Sequence, residues 1–359
     1  MALPRQAFGS PLGWFLAGVV VVVVVAGLAV VHRARSATPT TAVFADASLW
    51  QTAPLAVDLD PVLTRIGPAG EGLLSSNQDT GEHYREAIDL FVSSRPHRLG
   101  LEDFLRPGTT RSAKDENVLG FFEMIEQGGA GKAATIFAGE PEVLINYDRG
   151  LERLRALEQI GQAALKQASL LISETRDAPD DAARQRGRDE ARRLFAVTAA
   201  LGQALQREQI IYKEFEAGGE FLSAGLGGLI GLAKLEQNKD VERAVKGQRD
   251  ALSATMAGPI TTTWEAIATI NDPAKLNDAA DIHAGDVLAI ASRNEAHPMW
   301  RVEAILRTGK LRFDATRPGD AVFANRLLEA LETAVTDEHQ KLALEQATDL
   351  TKEQMRNAR

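Results

Sequence analysis

Two glycine-rich stretches, one serine and six histidines are the places where this chain could do chemistry. Gly128-Gly129-Ala130-Gly131-Lys132-Ala133 carries the Gly-Lys pair of a phosphate-cradling loop. Such a loop also needs a glycine five residues earlier, for close backbone approach, and a Ser or Thr next, to hold Mg²⁺. Glu126 and Ala133 occupy those positions, so the stretch reads as a glycine turn that ends a helix. Gly225-Leu226-Gly227-Gly228-Leu229-Ile230-Gly231 misses the dinucleotide-binding spacing by one residue and lies between helical segments. A helix-packing patch accounts for it better. Ser223 precedes Ala224-Gly225, but Phe221 stands where a nucleophile elbow has its first glycine.

The histidines are His32, His83, His97, His283, His297 and His339. None forms a His-Glu-x-x-His or Glu-x-x-His pair, the spacings that set two ligands on one helical face. Asp281 with His283, and Glu295 with His297, are two apart and do not face each other on a helix. The absence of cysteine removes thiolate metal sites, iron–sulfur clusters, cysteine nucleophiles and disulfides together. Carboxylates are numerous but spread along amphipathic segments, and no acid–base pair stands out. Trp264 and Trp300 sit near Ile267 and Ile305, which suits a core better than a binding site. A net charge of −9 argues against nucleic acid as the main partner. No catalytic residue, metal ligand or cofactor is therefore expected.

The element that positions everything else is the apolar run from Gly13 to Val31, 19 residues without a charge, including Trp14 and seven consecutive valines from Val19 to Val25. As an α-helix it is about 28 Å long, close to the roughly 30 Å hydrocarbon core of a bilayer. Valine is a moderate helix former in water, but hydrocarbon offers the backbone no other partner. A transmembrane helix over 13–31 is the expectation, with the lipid bilayer as its partner. A signal peptide has a shorter core and an early cleavage site. Here His32, Arg33 and Arg35 follow directly, and the nearest small-residue sites lie around Ala45 and Ala47, so an uncleaved signal-anchor fits better. Positive charge is nearly balanced across the span, with Arg5 on one side and Arg33 and Arg35 on the other. The Thr-Pro spacer Ser36–Ala42 that follows tips the expectation toward a large domain outside the cytoplasm.

The expected organisation is a short tail over 1–12, the span over 13–31, a flexible linker over 32–80, a central helical domain over 81–271 and shorter helical units over 272–359. Alanine- and leucine-rich, aromatic-poor composition points to an all-α fold. Within the linker, Trp50, Leu55 and Val57 are expected to lie against the domain. Tyr84, Ala87, Ile88 and Phe91 share one helical face, and Pro96 ends that segment. Val118, Phe121, Phe122 and Ile125 form a second stripe, stopped by Gly128 and Gly129. A long helix carries Leu151, Leu154, Leu157, Ile160, Leu165, Ala168 and Ile172. Another carries Leu194, Thr198, Leu201, Leu205, Ile211 and Phe215 and ends at Gly218-Gly219. The arginines from Arg184 to Arg193, mixed with acids, read as a solvated face with i,i+4 pairs. Gly225, Gly228 and Gly231 are expected against a neighbouring helix, since glycine costs about 1 kcal/mol in a helix without such packing. A further helix runs from Asp240 to about Ala257, before Gly258-Pro259.

Beyond Asn271-Asp272-Pro273, the segment His297-Pro298-Met299-Trp300-Arg301-Val302-Glu303-Ala304 resembles the second helix of a HEAT-type repeat, with His297 in place of Asp and Trp300 in place of a small aliphatic residue. Lys341 follows Arg301 by forty residues, within the period of such repeats. Tyr84 with Ala87, and Leu201-Gly202 with Leu205, are similar to fragments of tetratricopeptide units. These resemblances imply stacked helical hairpins and protein binding, not catalysis, and name no ligand. The expected function is a single-pass, membrane-anchored helical scaffold or adaptor that binds a protein partner or self-associates. The rival is an enzyme or small-ligand-binding domain whose site is assembled from distant helices.

Overall fold

The computed structural model describes residues 57–137, 147–208 and 212–257; the span over 13–31, with Gly13, Trp14, Val19, Val25 and Val31, and the HEAT-like stretch lie outside them. Within the described residues the chain is mostly helical, as composition predicts, with one small two-stranded sheet. No helix among them is long and apolar enough to cross a membrane.

Folded structure begins well before residue 81. Helix α1 (Asp60–Arg65) opens with Pro61 in its first turn and is followed by a 3-10 turn at Gly67–Gly70. Val57, Leu59, Val62, Leu63 and Ile66 are all buried. The apolar piece that the sequence places in a linker is thus a wall of the core, and the Pro and Gly residues around it form turns rather than a tether. Strand β1 (Ser76–Asp79) comes next. It pairs in parallel with β2 (Gly131–Ala133), Ser76 opposite Gly131 and Asp79 opposite Ala133. Both strands are too short and polar to leave a period-2 signal, which is why an all-α reading misses them.

Between the strands run α2 (Gly81–Ser93), α3 (Arg95–Leu105) and α4 (Glu116–Gly128). Pro96 separates α2 from α3 by opening the first turn of the latter, where its missing N–H is not needed. Asp115 caps α4 by accepting from the Asn117 N–H at 2.9 Å. Every apolar residue of the two expected stripes on α2 and α4 is buried. The end of α4 at Gly128 agrees with the glycine-turn reading, and the Tyr84 ring leaves no room for a side chain at that position, since a Cβ would lie 2.7 Å from it.

Three long helices and a shorter one complete the body: α5 (Tyr147–Glu174), α6 (Asp181–Glu208), α7 (Tyr212–Leu235) and α8 (Lys239–Met256). The pair Gly218-Gly219 does not end a helix; it lies inside α7. A Cβ on Gly202 of α6 would come within 2.6 Å of the Gly218 carbonyl oxygen, and one on Gly225 within 2.6 Å of the Phe195 carbonyl oxygen. The two helices therefore touch backbone to backbone, and that packing offsets the poor helix propensity of glycine. Gly228 packs on the Phe195 ring as expected, but Gly231 faces open space.

Arg193 fastens α6 to what precedes it. Its guanidinium donates to Glu126 Oε1 on α4 at 2.6 and 3.0 Å, to the Ala69 carbonyl at 3.0 Å and to the Glu71 carbonyl at 2.5 Å. Asp79 does similar work around the sheet. Burial pushes its carboxyl up, but hydrogen bonds from Thr135 and Gly81, with Arg85 close by, outweigh that and hold it below the usual range.

Candidate functional site

The α7–α8 turn builds a place where charged groups from distant elements converge on open space. Gln237 takes a left-handed conformation at φ 57°, which lets its N–H reach the Lys234 carbonyl and the Asn238 N–H reach the Ala233 carbonyl. Asn238 then caps α8 by accepting from the Val241 N–H at 3.1 Å. Across from this turn stand Arg65 at the end of α1 and the Gly67 turn. Between them lie two adjoining cavities of about 520 and 210 Å³, which share Arg65, Asn238 and Val241. On the other side of α1 a third cavity of about 520 Å³ opens against Pro68 and Leu73.

The groove's electrostatics follow from who holds whom. Arg192 of α6 is only 12% exposed and lies between the carboxylates of Asp189 and Glu236, with the latter carried by the α7–α8 turn. That pairing fixes the floor. Arg65 donates to the Pro61 carbonyl at 2.7 Å, which steers the base of its guanidinium along α1 and leaves the rest exposed. Arg243 and Asp240 sit at the rim, 3.8 Å apart and both largely exposed, so they gain little from each other. The lining offers the forked donors of Arg65, Arg192 and Arg243, the Asn238 amide and the carboxylates of Asp240 and Glu236. Such a surface suits the recognition of polar and charged groups.

Residues singled out by spacing are scattered by the fold. Ser223 is exposed on α7, and Gly225 points the opposite way, into α6. Lys132 lies in β2, where its carbonyl accepts from Arg207 at 2.8 Å. His83 pairs with Glu86 at 3.3 Å on α2; His97 bonds Ser94 at 2.7 Å and sets its ring edge-on to Phe121. Among the described residues no group of three His, Asp or Glu is placed to hold a metal. Trp264, Trp300 and the other four histidines lie outside the described residues.

Two features escape any reading of spacing. The groove joins residues more than 170 positions apart, and only the path of the chain brings Arg65 to Asn238. The second is a pair of buried glutamines one turn apart on α6. Gln203 donates to the Val57 carbonyl at 3.1 Å, and Gln206 to the Met256 sulfur at 3.3 Å. Asp58 adds a bond from its N–H to Gln248 Oε1 on α8 at 2.8 Å. The arginine-rich start of α6, expected to be a solvated face, is that only in part: Arg184 pairs with exposed Asp181, whereas Arg192 and Arg193 are tertiary ties. No family model, curated protein or solved structure matches the chain.

Proposed function

We propose that the chain is a membrane-tethered helical scaffold, with its large domain outside the cytoplasm, that docks a protein partner in the groove between α1, α7 and α8. The observation that carries this reading is the position of the groove beside the start of the body. Val57 and Asp58 are bonded to Gln203 and Gln248, and α1, which begins two residues later, forms one wall of the groove. Only residues 32–56 separate an anchor at 13–31 from that wall, a reach of at most about 85–90 Å. A partner carried in or beside the same membrane would meet the groove without a long search, by the effective-concentration effect of a short tether. The HEAT-like resemblance over 273–359 adds a second protein-binding element to this reading.

The test is site-specific photo-crosslinking in native membranes, with the reactive side chain at Arg243 or Asn238 and, as control, at Glu102 on α3. A discrete adduct from the groove positions alone supports the reading. Adducts at none of them, together with a thermal-shift response of the purified chain to small anions, would move the assignment to the small-ligand rival. Phosphatase and fluorescent-protein fusions at the C-terminus report the side of the membrane; a fluorescent, phosphatase-negative result would reverse the orientation.

A further inference from the structure

Helix α7 turns one face to the core and leaves the other uncovered among the described residues. The uncovered face runs through Glu220, Ser223, Ala224, Gly227, Ile230, Gly231 and Lys234, all exposed or only partly buried. A Cβ added at Gly227 or at Gly231 would meet nothing within 4 Å. The inward glycines of this helix are explained by the backbone contact with α6; these two have no such reason among the described residues. Glycine in an exposed helix interior is unfavourable, so a face that keeps two of them one turn apart suits a second backbone at close range.

The charges on this face say which backbone. Counted from Gly227, Glu220 stands seven residues before and Lys234 seven after, two turns and about 10.5 Å along the axis in each direction. Ala224 and Ile230 stand three before and three after; Ser223 and Gly231 stand four before and four after. A two-fold axis through Gly227 therefore sets an identical antiparallel helix in register. Each Glu220 then faces the partner subunit's Lys234, each Ile230 covers the partner's Ala224, and Ser223 lies against the partner's Gly231. A parallel pair would oppose Glu220 to itself and Lys234 to itself. Such self-complementarity about one point is the requirement of an isologous interface. We infer that α7 is a self-association surface, joining two copies of this chain antiparallel across Gly227 through small-residue contact and two reciprocal Glu220–Lys234 ion pairs.

The environment of Glu220 agrees. Burial, and then the Glu220 carboxylate, push the neighbouring Glu158 carboxyl above its usual range against the opposing pull of Arg155 and Lys213, so Glu220 stands beside a second carboxyl that a partner's Lys234 would also attract. The inference rests on α7 alone and goes beyond the groove reading; either can fail without the other.

The chain has no cysteine, so single introduced thiols report the contact without background. In the full-length protein in its membrane, Gly227→Cys should oxidise to a disulfide-linked dimer, because the two-fold axis brings the two thiols together. Ser223→Cys alone and Gly231→Cys alone should give little, since like positions lie about 12 Å apart along the helices, beyond disulfide reach. Mixed Ser223→Cys and Gly231→Cys chains should cross-link with each other. A charge test is independent of thiols. Glu220→Lys and Lys234→Glu should each weaken dimerisation in detergent about tenfold, and the two together should restore it to within about threefold of the parent. A monomeric parent with no Gly227→Cys dimer would overturn the inference. So would Ser223→Cys linking to itself as readily as Gly227→Cys, or a Gly227 photo-crosslinker captured by a different protein or by residues 258–359 of its own chain.

Discussion

Replacing Gly202 by alanine asks whether α6 and α7 are held by backbone contact. Helix propensity alone would make the change favourable by about 1 kcal/mol. The new methyl, however, would stand 2.6 Å from both the Gly218 carbonyl oxygen and the Leu222 nitrogen, and 3.0 Å from Phe221 Cβ. An ordinary carbon–oxygen contact is about 3.3 Å, so the helices must part by about 0.7 Å. A gap of that size forfeits a quarter to a half of the dispersion well along the seam, where Leu201, Leu205, Phe221 and Leu222 are buried. Overpacking of this kind costs about 1–3 kcal/mol, and the length of the seam argues for the upper end. The expected net effect is a loss of about 1–2 kcal/mol. Gly247→Ala on α8 is the matched control, since its methyl meets nothing within 4 Å and should add about 0.5–1 kcal/mol. Urea titration of the full chain in mild detergent, followed by far-ultraviolet circular dichroism, should separate the two variants by about 1.5–3 kcal/mol at unchanged slope. Equal stabilities, or Gly202→Ala the more stable of the two, would refute the reasoning.

Three further outcomes are expected. Tyr84 is fully buried and its hydroxyl finds no hydrogen-bond partner among the described residues, so Tyr84→Phe should raise the midpoint by about 1 kcal/mol of stability; a loss would mean the hydroxyl is bonded. Arg193→Met keeps the aliphatic stem but strips Glu126 and two carbonyls of their donor, and should cost about 2–3 kcal/mol in the same titration. Burial and Glu220 raise the Glu158 carboxyl above its ordinary value of 4.5. Because the folded state holds that proton more tightly than the unfolded one, this group's favourable share is present below 4.5 and is lost as pH rises through the raised value. Glu158→Gln should therefore be the more stable form at neutral pH, by less than about 1 kcal/mol, with the difference shrinking toward pH 4.

How much of this was legible beforehand depends on the range of the signal. The stripes Tyr84–Phe91 and Val118–Ile125 and the seam Leu194–Leu205 were readable because a 3.6-residue period is local and repeats. The stretch Val57–Leu74 was not, because its apolar residues are few and set among Pro and Gly, so composition mimics a linker while burial makes it core. Gly218-Gly219 looked like a helix stop because propensity considers one helix at a time; a second backbone at contact distance reverses the sign. The groove left no trace, since Arg65, Arg192 and Asn238 are ordinary surface types whose meeting is a property of the fold. The arginines of α6 show the same limit: nothing in the spacing separates Arg184, paired beside its own turn, from Arg193, which binds four acceptor bonds across the body.

Gln203 and Gln206, one helical turn apart on α6, hold Val57 and Met256. Two points 199 positions apart in the sequence are therefore clamped on a single turn of one helix, and fraying that turn would release both together.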